Sequence, residues 1–361
     1  MAKRARAAEL GNGRGCALCR VASNSRTDYS SADAADVSDC VTPRISWREK
    51  CCAAGDSVTS RLQPGSEFAG FRVQRRLGVG GMSEVYLVLG RGHDRYEALK
   101  ILDRDASRSP RLRNKFRMEA AVAAQLVHPN IVSVHEHGEF EHQLWMSMHY
   151  VDGYSAARLV ARGQIALDVS RVARIVAEVA KGLDYAHSQG VVHRDVKPAN
   201  ILISTERFDG YEQVLLSDWG IARLLDDSTP LVAGGTVMAS IPYAAPELLR
   251  GGVLSAQTDV YGLGATLVEL ATGRTPYPLA TPLAITAAHL TAEPPSVTRR
   301  RRSLPRGLDA VDARALAKDP SDRFRTCVEL SDAVAAAVEA GVPEPPPRRS
   351  PFTRSRWLKF S

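Results

Sequence analysis

The sequence predicts an α+β fold in two lobes, a small β-rich lobe with one key helix and a larger, mainly helical lobe. Three observations predict it. Strand-like runs at 71–77, 85–89 and 96–102 crowd the first part and precede a single helical stretch at about 111–127. Further on, apolar residues recur at helical spacing: Val172, Val176, Val179 and Leu183, then Val260, Leu263, Leu267 and Leu270. A chain of 361 residues with 44% hydrophobic content can bury a large core.

Residues 1–64 are rich in Ala, Ser, Arg and Gly and lack sustained periodicity, which reads as disorder. Cys16, Cys19, Cys40, Cys51 and Cys52 fall there, and Cys327 stands apart. Cys16 and Cys19 have zinc-ligand spacing, but no second such pair follows, so incidental or redox-reactive thiols rank above a metal site. A start annotated too early, with the true one near Val58, is a second explanation of this segment. The small lobe should span about 71–150 in five strands, with the 111–127 helix packed on it. The large lobe should span about 151–340. Its helix at 168–189 ends at Gly190 in C-cap position, and Gly273 stops the 260–270 stripe. These stripes read as core. Residues 343–347 form a stiff Pro-rich linker within a tail at 341–361.

Net charge is +7, and much of the excess is local, at Arg299–Arg302 and at Arg348, Arg349, Arg354, Arg356 and Lys359. A basic tail suits an anionic membrane surface or acidic partners. No recognisable nucleic-acid module accompanies the charge, so no nucleic-acid partner is expected. Residues 1–30 lack an apolar signal core, and no apolar run approaches the ~20 residues that span a bilayer. The expectation is a cytoplasmic protein without a transmembrane span, its tail in weak contact with anionic lipid at the inner membrane face.

The chemistry concentrates in His193-Arg194-Asp195-Val196-Lys197-Pro198-Ala199-Asn200. Asp195 is a candidate base for an attacking hydroxyl. Lys197 can neutralise charge on a transferring phosphoryl group. Asn200 can hold Mg²⁺ through its amide oxygen, since hard cations prefer oxygen ligands. Phosphoryl transfer needs positioning and charge neutralisation more than covalent chemistry. The Val191-Val192 pair before and Ile201-Leu202-Ile203 after read as short buried strands. Upstream, Leu77-Gly78-Val79-Gly80-Gly81 lies between strands, where glycines let backbone N–H groups face phosphates. Lys100 sits in the middle of a strand and needs an anionic partner, for which Glu119 is the candidate. Downstream, Asp218 follows a strand as a second metal ligand. A polar segment at 226–240 and Tyr243-Ala244-Ala245-Pro246-Glu247 come next. Singly, these read as a hairpin, a snorkelling lysine or a charged turn. Together and in order they are specific.

In this order the motifs resemble bacterial, eukaryotic-like Ser/Thr protein kinases of the actinobacterial receptor type. Gly80 to Tyr86, His193 to Leu202, Gly220 to Arg223 and Ala317 to Phe324 carry the resemblance, which covers about 65–340. Such proteins commonly begin just before a stretch like Gly65 to Phe71. Lys197 followed by Pro198 resembles Ser/Thr rather than Tyr kinases.

The resemblance implies an ATP-dependent protein Ser/Thr kinase with Mg²⁺ or Mn²⁺ as cofactor. It implies that Leu77, Gly78, Gly80 and Gly81 cover the nucleotide. Val85, Ala98 and Leu202 would sandwich adenine, with Met148 as gatekeeper and a hinge at 149–151 that includes Tyr150 and Val151. Lys100, paired with Glu119, would hold the α- and β-phosphates. Asp195 would be the catalytic base, with Lys197 beside it. Asn200 and Asp218 would be the metal ligands. Glu247 would pair with Arg323, and Asp259 would support the catalytic loop. Many relatives continue through a basic stretch into a membrane helix, and Arg356 to Ser361 resembles such a junction, so a truncated receptor is one expectation.

Three departures mark this chain. Ser83 replaces the usual third glycine, its side chain expected toward solvent. Trp219 replaces the usual Phe and is expected to pack against Ala120, Ala123 and Ala124. The register before Tyr243 is open between Gly235-Thr236 and Ala239-Ser240. Autophosphorylation in trans, within a homodimer, is expected at Thr229 or Thr236, with phosphate read by Arg194. Ser240 is a further phosphosite candidate, expected instead to hydrogen-bond near Asp195 and Lys197. The rival reading is a pseudokinase or scaffold that binds nucleotide or partners without transfer. A small-molecule phosphotransferase is a further alternative, against which the Tyr243–Glu247 region favours protein substrates.

Overall fold

The computed structural model describes residues 62–92, 94–163, 168–208, 210–219 and 240–341. The cysteine-bearing segment up to residue 61, the tail from 342, and Thr229 and Thr236 lie outside the described residues.

Alternation builds the small lobe. Strands β1 (Glu67–Phe68), β2 (Phe71–Val79), β3 (Ser83–Leu89), β4 (Tyr96–Leu102), β5 (Val134–Phe140) and β6 (Gln143–His149) form an antiparallel sheet in the order β1-β2-β3-β4-β6-β5. The sheet thus has six strands rather than the expected five. The added β1 is two residues long and folds back on β2 across Ala69 and Gly70, both at positive φ. So short a strand carries no period-2 signal. One face buries Tyr86, Val88, Leu99, Ile101 and Trp145 with Phe68, Phe71 and Val73. The other packs Leu102, Leu144 and Met146 against helices α1 (Arg104–Arg108) and α2 (Pro110–Ala123) through Ala106, Phe116 and Ala120.

Helix α2 begins where Ser109 caps it and Pro110 takes the first turn. It ends at Ala123, short of the expected 127. The chain turns there to bury Leu126, 1% exposed, and Pro129 disfavours helix just before it.

The large lobe starts with β7 (Gly153–Ser155), α3 (Ala156–Ala161) and α4 (Val169–Ser188). The Asp168 side chain accepts from Arg171 N at the start of α4, and Gly190 closes its end at φ +74°. β8 (Ile201–Phe208) and β9 (Tyr211–Leu216) join β7 in a three-stranded sheet ordered β7-β8-β9. Helices α5 (Pro246–Arg250), α6 (Ala256–Thr272), α7 (Pro282–Thr291), α8 (Val297–Arg300), α9 (Gly307–Ala315) and α10 (Cys327–Ala340) follow. The predicted stripes on α4 and α6 are buried in one core, and Gly273 ends α6 at φ +75°.

Val191 and Val192 form no strand, contrary to expectation. The Val191 N–H bonds Ala186 O and finishes the end of α4. The run after Asn200 instead extends to Phe208, because a hairpin through Gly210 supplies a full partner strand. No helix among the described residues is long and apolar enough to cross a membrane.

Candidate active site

Strand register places Lys100. It pairs with Val85 on one side and Met146 on the other, while Ala98 pairs with Leu87 and Met148. Directly paired residues share a face, so Val85, Ala98, Lys100 and Met148 lie on the face turned toward α2. There Lys100 Nζ meets Glu119 Oε1 at 2.9 Å and Asp218 Oδ1 at 2.8 Å. Burial works to depress the Lys100 ammonium, but the Asp218 and Glu119 carboxylates outweigh it and hold it well above its usual range. The ammonium in turn holds the Asp218 carboxyl below its usual range. Burial pushes Glu119 up against the opposing pull of Lys100. Asp218 lies just past the end of β9, at φ +58°, with 48% of its side chain open. Its direct bond to Lys100 was not anticipated from the sequence.

The segment His193–Asn200 is held from below. His193 is fully buried, and its Nε2 lies 3.1 Å from Ser217 O. Asp259, at the start of α6, accepts the backbone N–H groups of His193 and Arg194 at 2.7 Å each. Arg194 takes φ +69°, a strained value for a non-glycine residue. Beyond it, Lys197 Nζ bridges Asp195 Oδ2 and Ser240 Oγ, each at 2.8 Å. Asn200 Nδ2 donates to Asp195 O at 2.9 Å and to Asp195 Oδ2 at 3.2 Å. Ser217 N donates to Asn200 O at 2.9 Å, so the backbones of Asn200 and Asp218 adjoin. Ser240 is thus the hydroxyl that meets Lys197. Further along, Tyr243 OH donates to Glu269 at 2.5 Å, and Arg323 grips Glu247 through two bonds of 2.8 Å.

The glycine turn closes through Gly80 N to Ser83 O at 2.8 Å. A Cβ added at Gly80 would lie 3.5 Å from Ser83 Oγ, so that hydroxyl turns toward the turn rather than out to solvent. Gly78 pairs with Val85, and Leu77 precedes it on β2. Gly81 is exposed on the turn. Leu77, Val85, Met148 and Leu202 are all half-buried, as the apolar lining of an open cleft would be. Tyr150 and Val151 link the lobes, and the Tyr150 hydroxyl accepts from Arg75 and donates to Asp152, both at 3.2 Å.

The arrangement offers two kinds of chemistry. Lys100 presents a fixed cation to an anionic ligand. Asp195 presents a carboxylate to a hydroxyl, with the Lys197 ammonium beside it. The amide nitrogen of Asn200 is committed to Asp195, which turns its oxygen to the other side. That oxygen and the Asp218 carboxylate form an all-oxygen donor set, which fits a hard divalent cation.

Residues 71–332 match the family model of the protein kinase domain. Over 303 residues the chain is 45% identical to the serine/threonine-protein kinase PknJ of Mycobacterium tuberculosis, covering 83% of this chain and 51% of that protein. Over 274 residues it is 43% identical to PknF of the same organism, covering 76% and 57%. The chain therefore spans about half the length of these curated relatives. The M. tuberculosis PknI kinase domain superposes with a TM-score of 0.62 at 38% identity, covering 78% of this chain and 100% of that one. Motif order, site geometry and these likenesses agree: the chain belongs to the protein kinase family.

Proposed function

We propose that this chain is a protein serine/threonine kinase that moves the γ-phosphoryl group of ATP to Ser or Thr hydroxyls of proteins. The observation that carries the reading is the meeting of Lys100, Glu119 and Asp218 beside the Asp195–Lys197–Ser240 group. A protein kinase domain implies ATP and a divalent metal, and Mg²⁺ is the ion we propose, with Mn²⁺ as a substitute.

Leu77, Val85, Ala98, Met148 and Leu202 enclose adenine, and the backbone at Tyr150 and Val151 bonds its edge. The backbone turn at Gly78, Gly80 and Gly81 covers the phosphates. Lys100 binds the α- and β-phosphates, with Glu119 fixing its position. Asn200 and Asp218 would hold the metal, which when bound neutralises charge on the phosphates. Asp195 orients the acceptor hydroxyl and takes its proton as the new O–P bond forms and the bond to ADP breaks. Lys197 offsets the charge that develops between them. Trp219 replaces the usual aromatic without displacing Asp218 from Lys100, which supports transfer over a nucleotide-binding pseudokinase.

Activation by autophosphorylation in trans, between two copies of the chain, at Thr229 or Thr236 belongs to the same proposal. So does a cytoplasmic setting with the basic tail near anionic lipid, supported by its composition. The test is incubation of the full chain with ATP, Mg²⁺ and a generic acceptor protein, followed by mass-spectrometric mapping. Phosphate on Ser and Thr, lost on chelation of the metal, is the expected result. Nucleotide binding without any phosphate transfer would overturn the reading in favour of the pseudokinase.

A further inference from the structure

The run Arg299–Arg302 divides into two kinds of arginine. Val297, Leu304 and Leu308 sink into the core and anchor the loop that carries it. Asp309 accepts Thr298 N at 3.1 Å and the Thr298 hydroxyl, which ties the loop to α9. Arg300 donates to Thr275 O at 2.9 Å and to Pro276 O, and Arg301 donates to Ala271 O at 3.1 Å. These two cations thus serve the carbonyl end of α6 and the turn after it, where positive charge is favoured.

Their neighbours point elsewhere. Arg299 and Arg302 are exposed, as are Arg274 after α6 and Arg306 at the start of α9. Among the described residues, none of these four pairs with a carboxylate. Burial, and after it the charge of Arg274, lower the Arg300 guanidinium, so the turn after α6 and the arginine loop hold like charges close together. Exposed cations gathered in this way attract an anionic partner, in a field that salt screens over ~10 Å.

The last helix delivers the tail to the same face. A Cβ added at Gly307 would lie 3.1 Å from Ala337 Cβ, and one added at Gly341 would lie 2.6 Å from Pro305 Cβ. The end of α10 therefore rests on the arginine loop, with the exposed Glu339 at its border. From Gly341 the sequence reaches Arg348 within ~25 Å of extended chain. Arg349, Arg354, Arg356 and Lys359 follow, with Trp357 and Phe360 among the last of them. Aromatic side chains beside cations suit the interface of a lipid bilayer.

We propose that Arg274, Arg299, Arg302 and Arg306 form a docking face for an anionic lipid surface, which the folded lobe and the basic tail engage together. The inference rests on the reading that places the tail near anionic lipid, and it adds a fixed orientation of the lobe. Two basic clusters that adjoin at Gly341 can both face a planar anionic surface. The helix from Asp259, which holds the catalytic loop, to Ala271, beside the docking face, covers ~18 Å. Docking through this face therefore leaves the cleft free for nucleotide and protein substrate.

The test is co-sedimentation of the full chain with vesicles of phosphatidylcholine, with and without phosphatidylserine, at low and moderate salt. Each basic residue at an anionic surface strengthens binding about fivefold. The combined variant Arg274→Gln, Arg299→Gln, Arg302→Gln and Arg306→Gln should bind the phosphatidylserine vesicles at least ~10-fold more weakly, with unchanged melts and unchanged transfer to a soluble acceptor. Lysine at the same four positions should restore most of the binding, because the surface reads charge. Wild-type binding by the glutamine variant would overturn the inference, as would binding to phosphatidylcholine alone that the variant keeps. Tighter binding to polyglutamate than to the vesicles, lost in the same variant, would overturn the choice of a membrane in favour of an acidic protein. A second variant, with the five tail cations changed to Gln, separates the two readings. If it alone loses binding, the tail reading stands and the docking face fails. If it binds as wild type while the loop variant does not, the tail reading fails and the face stands.

Discussion

The indole of Trp219 packs obliquely on the buried imidazole of His193, with ring centres 4.7 Å apart and planes tilted by 54°. This contact ties the residue after Asp218 to the first residue of the catalytic loop. Trp219 shares a core with Ala123, and Ala120 is buried nearby in the same helix. Ala124 is exposed, so it does not take part in the packing expected from the sequence. It lies past the end of α2, where the chain has turned away. The indole N–H has no hydrogen-bond partner among the described residues.

Replacing this indole tests the packing. Trp219→Phe should fold and remain active, since it removes an unpaired donor while leaving a small cavity. Ala123→Leu should clash with the indole and reduce activity, and adding Trp219→Phe should partly restore it. A double-mutant cycle should show ~0.5–3 kcal/mol of coupling. Strict additivity would mean that the two side chains do not press on each other.

Ser240 shares the Lys197 ammonium with Asp195. Ser240→Ala should release Lys197 and lower kcat by roughly tenfold, with Ser240→Thr close to wild type. Steady-state kinetics on the three proteins decide this. Tryptic mapping after incubation with ATP should place phosphate within residues 218–247. Phosphate found only elsewhere would remove the activation mechanism.

Asp312 on α9 is fully buried, and neither carboxylate oxygen has a hydrogen-bond partner among the described residues. Burial raises it well above the usual carboxylate range, with Asp309 adding to the shift and Arg300 opposing it. The folded chain then holds a proton that the unfolded chain releases. Stability is therefore lost as pH rises above the usual carboxylate range. Asp312→Val should stabilise the chain by ~1–3 kcal/mol at neutral pH and by less in acid. Denaturant melts at two pH values give the comparison, and an equal gain at both would contradict the assigned cause.

The Glu247–Arg323 pair is buried on both sides, with the Arg323 side chain at 0% and the Glu247 side chain at 9% exposure. Removing one partner strands the other charge. Glu247→Gln should cost ~3–5 kcal/mol in unfolding free energy. The double variant Glu247→Gln with Arg323→Met should cost less than the sum of its parts, read by the same melts.

Local pattern accounts for much of what could be foreseen. Lys100 stood out as the charge inside an apolar strand, and Asp195 and Asn200 came from eight consecutive residues. The helix ends at Gly190 and Gly273 were legible because a left-handed cap has a residue preference. What pattern could not supply was contact across the chain. The Lys100–Asp218 bond joins residues 118 apart, and only the folding of β9 toward β4 creates it. The sequence does not single out His187, because its partner Asp259 arrives from α6. The Val191-Val192 pair had the composition of a strand, but its first N–H was already committed to α4.

The central claim is transfer from ATP with Asp195 as base, and single-turnover kinetics of wild type against Asp195→Asn test it most directly. Lys100→Met, measured alongside, should fail through lost phosphate positioning. The account predicts at least a ~100-fold loss of phosphoryl transfer in Asp195→Asn, with the thermal melt nearly unchanged. Wild-type transfer by folded Asp195→Asn would contradict it.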